Sequence, residues 1–266
     1  MTRLLLTLLW LWPTIGAADF ATGSEAYMRE DYATALREWR PLAEAGDGDA
    51  QYALGSIYRF GRGVAEDAGE AAKWWRMAAV QGDVDAQLSL ATLYFEGKGP
   101  HADRKEALKW YRLAADQENV NAQFSLGNMY VKGEGVSKDV VEAVRWFRMA
   151  AEHGLADAQY VLGAMYESGE DVPADAKEAV KWYQSAAEQG WPNAQYDLGR
   201  IYYEGYYQLS EDYVEAYAWL TLAAAQGEEK ALTDRDFLRN RMPVADLAAA
   251  QELSQELCAK IPKCKI

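Results

Sequence analysis

Between residues 49 and 228 the apolar positions recur at helical spacing. Ala50, Leu54, Ile57 and Tyr58 fall at i, i+4, i+7 and i+8, one face of a helix. Ala71, Trp74 and Ala78 repeat the pattern at i, i+3 and i+7. Between these stretches Gly61 and Gly63 supply the positive-φ conformations of a tight turn, so the pattern predicts helix, turn, helix. Gly82, Gly154 and Gly190 stand where a helix-ending glycine is expected, whereas Glu118 takes that place in the second copy and predicts a poorer cap.

The pattern then repeats. Ala-Gln pairs at Ala50-Gln51, Ala86-Gln87, Ala122-Gln123, Ala158-Gln159 and Ala194-Gln195 are 36 residues apart. In the same register follow Leu54, Leu90, Leu126, Leu162 and Leu198, then a small residue (Gly55, Ala91, Gly127, Gly163, Gly199), then Tyr58, Tyr94, Tyr130, Tyr166 and Tyr202. Further on stand Trp74, Trp110, Trp146, Trp182 and Trp219, the last displaced by one extra residue in its turn. The small residue is expected to make room for the Trp of the second helix. One such pair cannot bury its own apolar stripe, but stacked copies can. The expected fold is therefore all-α, a right-handed α-solenoid of stacked antiparallel helix pairs.

The repeats divide as 49–84, 85–120, 121–156, 157–192 and 193–228. Residues 19–48 form a degenerate first unit, with Ala35, Trp39 and Gly46 in phase with Ala71, Trp75 and Gly82. Residues 229–266 begin in phase at Ala231 and then leave the pattern. Pro243 is expected at a first helical position, and Val244, Leu247, Leu253 and Leu257 to line a capping helix.

Residues 1–18 read as a secretory leader. Arg3 precedes an apolar run from Leu4 to Trp12, Pro13 breaks it, and Gly16-Ala17-Ala18 offers small residues before a cut between Ala18 and Asp19. The run is too short for a membrane span, which needs about 20 apolar residues. No Cys follows it to carry a lipid anchor. The expected location is the periplasm or the medium, without stable membrane insertion of the mature chain.

Charge narrows the partners. The chain carries a formal net charge of −14, which becomes −15 once Arg3 is removed. Nucleic acid requires a basic footprint and is excluded as a partner. Two His (His101, His153) and two Cys are too few for a Cys/His metal site, and no P-loop, His-Glu-x-x-His or Gly-x-Ser-x-Gly is present. No catalytic residue, metal or cofactor is expected. His101 and His153 read as a turn residue and a helix-end residue.

The segments NAQFSLGNMYVKGEGVSKDVVEAVRWFRMAAEHG (121–154) and DAQYVLGAMYESGEDVPADAKEAVKWYQSAAEQG (157–190) resemble Sel1-like repeats, the longer relatives of the tetratricopeptide repeat. The first unit resembles a shorter tetratricopeptide unit. The resemblance implies a bacterial exported protein that binds one or more other proteins in a concave groove. It places on that groove the residue after each Gln and those four and seven further on. Among these are Tyr52, Arg59, Leu88, Phe95, Phe124, Asn128, Tyr160, Glu167, Tyr196, Arg200 and Tyr203. The rings of this set read equally as groove contacts and as half-buried framework. No Lys occupies these positions, so a clamp for a C-terminal carboxylate is not expected. Tyr202, Tyr203, Tyr206, Tyr207, Tyr213 and Tyr217 crowd the fifth turn and read as an interface. Two rival roles are a hydrolase or binder of cell-wall or β-lactam-like compounds, as implied by Cys-rich relatives, and a structural spacer in an envelope assembly. This chain lacks Cys in every repeat, which weakens the first.

Export would put Cys258 and Cys264 in an oxidising compartment. Pro262 disfavours helix at Ile261 and lets the tail turn back, so a Cys258–Cys264 disulfide is expected.

Overall fold

The computed structural model describes residues 18–97, 103–205 and 212–266. Residues 1–17, which hold most of the expected leader, the turn residues Gly99 and His101, and Tyr206 and Tyr207 lie outside them. The described residues form fourteen helices and no strand, in two compact units, one ending at Ala102 and the other beginning at Asp103.

The first unit holds α1 (Phe20–Met28), α2 (Tyr32–Glu44), α3 (Gly48–Phe60), α4 (Ala68–Val80) and α5 (Val84–Glu96), each packed on the next. The second holds α6 (Arg104–Asp116), α7 (Val120–Lys132), α8 (Val140–Glu152), α9 (Ala156–Ser168), α10 (Ala176–Glu188), α11 (Pro192–Glu204), α12 (Tyr213–Ala225), α13 (Glu229–Arg239) and α14 (Val244–Lys260). Here too sequence neighbours pack through α13, and α14 returns to cover α12. Each unit is thus a stack of adjacent helix pairs, the architecture of an α-solenoid.

The helix boundaries follow from local chemistry. The second helix of each repeat opens on an Asp: Asp67, Asp103, Asp139, Asp175 and Asp212 all accept from backbone N–H groups of the first turn. This satisfies donors that the helix cannot satisfy itself. The first helices end at glycines with left-handed backbone, Gly61 at φ 63° being one, where a side chain would be strained. Glu118, in place of the helix-ending glycine, is forced to φ 64°.

The close approach of paired helices is made by the small residue after each Leu, but not for the tryptophan expected. A Cβ on Gly55 would lie 2.3 Å from Trp75, on Gly127 2.5 Å from Phe147 and on Gly163 2.6 Å from Tyr183. The ring that fills the gap is therefore the residue after the periodic Trp. Adjacent residues on a helix point about 100° apart, so Trp74 turns instead into the core with Ile57 and Trp39.

The repeated Gln has a structural role. Gln51, Gln87, Gln123, Gln159 and Gln195 are all buried. Each donates its amide to the carbonyl of the residue eight before it, Ala43, Ala79, Ala115, Ala151 or Ala187, at 3.0–3.2 Å. This ties each first helix to the end of the helix before it.

The C-terminal region differs in detail from expectation. Pro243 is the N-cap of α14 rather than its first helical residue. Val244 is 87% exposed, and the buried positions of α14 are Ala250 and Ser254. In the first turn of α14 it is Leu247 that packs against the core around α12, and Val244 faces solvent. Beyond α14, Ile261 is extended and buried against Tyr183, Leu198, Trp219 and Leu222. Cys258 and Cys264 form a disulfide with their Cα atoms 5.3 Å apart.

Candidate functional site

Three of the first-helix rings are half-buried against a ring of the second helix. Centroid distances are 6.5 Å for Tyr52–Trp75, 5.5 Å for Phe124–Phe147 and 5.6 Å for Tyr160–Tyr183. Phe20 stacks on Trp39 at 5.6 Å in the same way, extending the ring position into the degenerate first unit. These rings therefore belong to the framework on one face and stay open on the other.

In the first unit, Tyr52, Arg59, Leu88 and Phe95 are all half-buried. Arg59 is engaged with Glu66 at 3.0 Å and Glu96 at 3.5 Å.

In the second unit a polar network has formed between α9, α10 and α11. Tyr160 donates its hydroxyl to Asp197 at 3.0 Å, and Tyr183 donates to Glu167 at 2.8 Å. Arg200 pairs with Glu167, with Glu204 at 3.2 Å and with Asp197 at 3.7 Å. Burial raises the Asp197 carboxyl above the usual carboxylate range, against the pull of the Tyr160 hydroxyl and Arg200. Burial, reinforced by the charge of Asp197, pushes the Tyr160 phenol up to about 12. Tyr160 therefore stays protonated and remains a donor. Burial raises Tyr183 as well, with the hydrogen bond to Glu167 adding to it. Tyr196 is raised by burial and by the nearby carboxylate of Asp234.

The structure thus brings together Tyr160, Glu167 and Arg200, and adds Asp197 and Tyr183, which sequence reasoning did not single out. Phe124 and Asn128 are half-buried on α7, outside this network. Tyr203 packs between Tyr213 and Phe237, with both centroids 6.0 Å away. Of the tyrosines near the fifth turn, Tyr217 is 6% exposed, and Tyr202 packs partly buried against the core. Tyr217 thus closes the core around α12, while Tyr202 keeps part of its surface open.

A second ladder was also missed. Arg40, Arg76 and Arg148 donate to the hydroxyls of Tyr58, Tyr94 and Tyr166 at 2.9, 2.5 and 2.6 Å, and Arg112 to Tyr130. The signal was present as an Arg recurring every 36 residues. Gln184 replaces it in the next copy.

Among the described residues no three or more His, Cys, Asp or Glu side chains are arranged to hold a metal ion. His153 is an exposed helix-end residue, remote in kind from a base–nucleophile pair. No helix among the described residues is long and apolar enough to cross a membrane.

The Sel1 repeat family model matches five successive segments, 48–83, 84–119, 120–155, 156–191 and 192–228. A Sel1 repeat protein from Oxalobacter formigenes superimposes with a TM-score of 0.73 at 33% identity, covering 81% of this chain and 88% of its own. A protective antigen of uropathogenic Escherichia coli displaying an SLR fold superimposes with a TM-score of 0.51 at 29% identity, covering 90% of this chain and 61% of its own. No curated protein matches the chain.

Proposed function

This chain belongs to the Sel1 repeat family, whose members typically mediate protein–protein interaction, and on that premise we propose that it is an exported, non-enzymatic interaction module of the bacterial cell envelope. Its partner docks on the variable residues of the first helices. The observation that carries this reading is the network of Tyr160, Glu167, Tyr183, Asp197 and Arg200. Tyr160, Glu167, Asp197 and Arg200 are half-buried over the buried Tyr183 and held in place by one another, so little side-chain freedom is lost when a partner binds.

With a net charge of −14, the partner is basic or neutral, because like charges oppose encounter. Export is supported by the leader pattern before Ala18 and by Asp19, whose carboxylate caps α1 through the N–H groups of Ala21 and Thr22. A cut between Ala18 and Asp19 would leave α1 and its cap intact. N-terminal sequencing of the protein from a periplasmic fraction and from the medium tests this, and Asp19 is the expected first residue. For binding, the test is cross-linking and pull-down from an envelope extract, with Tyr160→Ala as the comparison. A partner retained by the parent and lost by the variant supports the reading. No enriched protein, together with no effect of the variant in cells, removes it.

A further inference from the structure

The first unit contains a feature that the repeat pattern does not require. Between α1 and α3 lies a cavity of about 570 Å³, walled by Phe20, Tyr27, Trp39, Tyr52, Ala53 and Ser56, with Met28 and Phe60 at its mouth. Its origin is legible in the register. Ala53 and Ser56 stand where Asp197 and Arg200 stand four repeats later. In the second unit those two side chains are engaged by Tyr160 and Glu167. In the first unit the small side chains leave the space between the rings open. The volume falls within the roughly 300–1,000 Å³ typical of ligand sites, which are mostly apolar with a few placed polar groups.

The mouth is apolar and exposed, since Met28 is 81% and Phe60 60% accessible. The rings are also held. Arg62 donates to the Tyr27 hydroxyl and lies 5.1 Å from the Tyr27 ring and 5.5 Å from the Phe60 ring. Asp49, at the start of α3, is the one charged residue lining the cavity. The described residues of this unit, 18–97, carry 14 Asp and Glu against 7 Lys and Arg, a net of −7. A cation is therefore attracted both by the unit and by the wall.

Building on the interaction role proposed above, we propose that this cavity is the docking site for a partner peptide. The peptide inserts an aromatic or large aliphatic side chain between Phe20 and Tyr52 and sets an adjacent Lys or Arg against Asp49. The apolar anchor supplies affinity, and the cation fixes which residue follows it. Phe20 and Tyr52 keep part of their ring surface open to the anchor, Trp39 lies buried behind Phe20, and Ser24 and Ser56 leave the room it needs.

The test is selection from a random heptapeptide library displayed on phage, panned against the full protein. The leading peptide is then synthesised with a fluorophore and titrated by anisotropy. Enriched sequences should share an aromatic or aliphatic residue beside Lys or Arg. Ser56→Phe fills the cavity and should weaken binding about tenfold or more, as expected of a central anchor. Asp49→Asn should weaken it roughly threefold and flatten its salt dependence, as expected of a rim charge. Should Ser56→Phe lose its helical circular dichroism, Met28→Ser with Phe60→Ser replaces it, both being exposed, and the same loss is expected. Val141→Ser, at an exposed position of α8 in the second unit, should leave this peptide's binding unchanged.

The proposal is overturned by an absence of enriched peptides, or by enriched peptides lacking the apolar–basic pair. It is equally overturned if binding is indifferent to the cavity variants. A partner that is lost with Tyr160→Ala but unaffected by the cavity variants would preserve the interaction role and remove this site.

Discussion

Gln189 donates its side-chain amide to the side-chain carbonyl of Gln159, 2.8 Å away and 30 residues earlier. The same bond joins Gln81 to Gln51 and Gln226 to Gln195, each at 2.8 Å. In these repeats the buried Gln is satisfied twice, as donor to a backbone carbonyl and as acceptor from the next helix end. In the third repeat the position 30 residues after Gln123 is His153, and the buried Gln123 Oε1 accepts no hydrogen bond. An unsatisfied buried acceptor costs about 1–3 kcal/mol. His153→Gln is therefore expected to stabilise the protein by about 1 kcal/mol, since part of the gain is offset by ordering the new side chain. Urea unfolding monitored by circular dichroism measures it. An unchanged or lower midpoint would show that the Gln–Gln bond contributes nothing net.

Asp197 gives a pH-dependent prediction. Burial raises its carboxyl above the ordinary value of 3.8. In the window just above 3.8 the folded protein therefore binds this proton more tightly than the unfolded chain does. Stability then falls as pH rises through that window, because the charged form must be held half-buried. Asp197→Asn keeps an acceptor for Tyr160 and removes the titration. The advantage of the variant over the parent should grow from pH 4 upward and level off once Asp197 is ionised. Paired urea titrations between pH 4 and 7 read this difference, and a difference constant across the range contradicts the assignment.

Much of the fold was legible because packing imposed it at every copy. The 36-residue period gives the helix starts, and the need for close approach gives the small residue at Gly55, Gly127 and Gly163. What the period cannot resolve is which of two neighbouring rings points where. Trp74-Trp75, Trp146-Phe147 and Trp182-Tyr183 are apolar at both positions, and only the helix-to-helix geometry distinguishes them. The candidate site was half legible for the opposite reason. Position 197 is Ala53, Ser89, Ser125 and Val161 in the other copies, so a search for what recurs passes over Asp197. The Gln was visible as a period and its partners were not, because they lie eight residues before it and 30 after it in other helices.

Trp146 is 3% exposed in the core of the second unit. Its replacement by Ala removes a large buried ring that the surrounding helices cannot fully collapse around, at a cost of about 3–5 kcal/mol. Because each repeat is held mainly by its neighbours, amide exchange should rise most in α7 to α10. Hydrogen exchange read by mass spectrometry resolves this, and a uniform loss of protection from residue 18 to 266 would contradict nearest-neighbour stabilisation.

The Cys258–Cys264 disulfide closes a short loop at the end of α14. Within that loop Ile261 has left the helix, and its side chain is buried with Tyr183, Leu198, Trp219 and Leu222. The Cys264 N–H donates to the Ile261 carbonyl at 3.2 Å, which completes the turn. The bond therefore keeps Ile261 in the core by restricting how far the tail can swing in the unfolded chain. On the chain-entropy model a loop of this size is worth about 2 kcal/mol. Cys258→Ser should cost that amount and raise exchange chiefly over residues 244–266, while Ile261→Ala in the oxidised protein should reproduce the stability loss with the tail still tethered. Mass spectrometry of the purified protein without reductant should find no alkylatable thiol. Two free thiols there, or a Cys258→Ser protein as stable as the parent, would remove the disulfide as the element that holds the tail against α10 to α12.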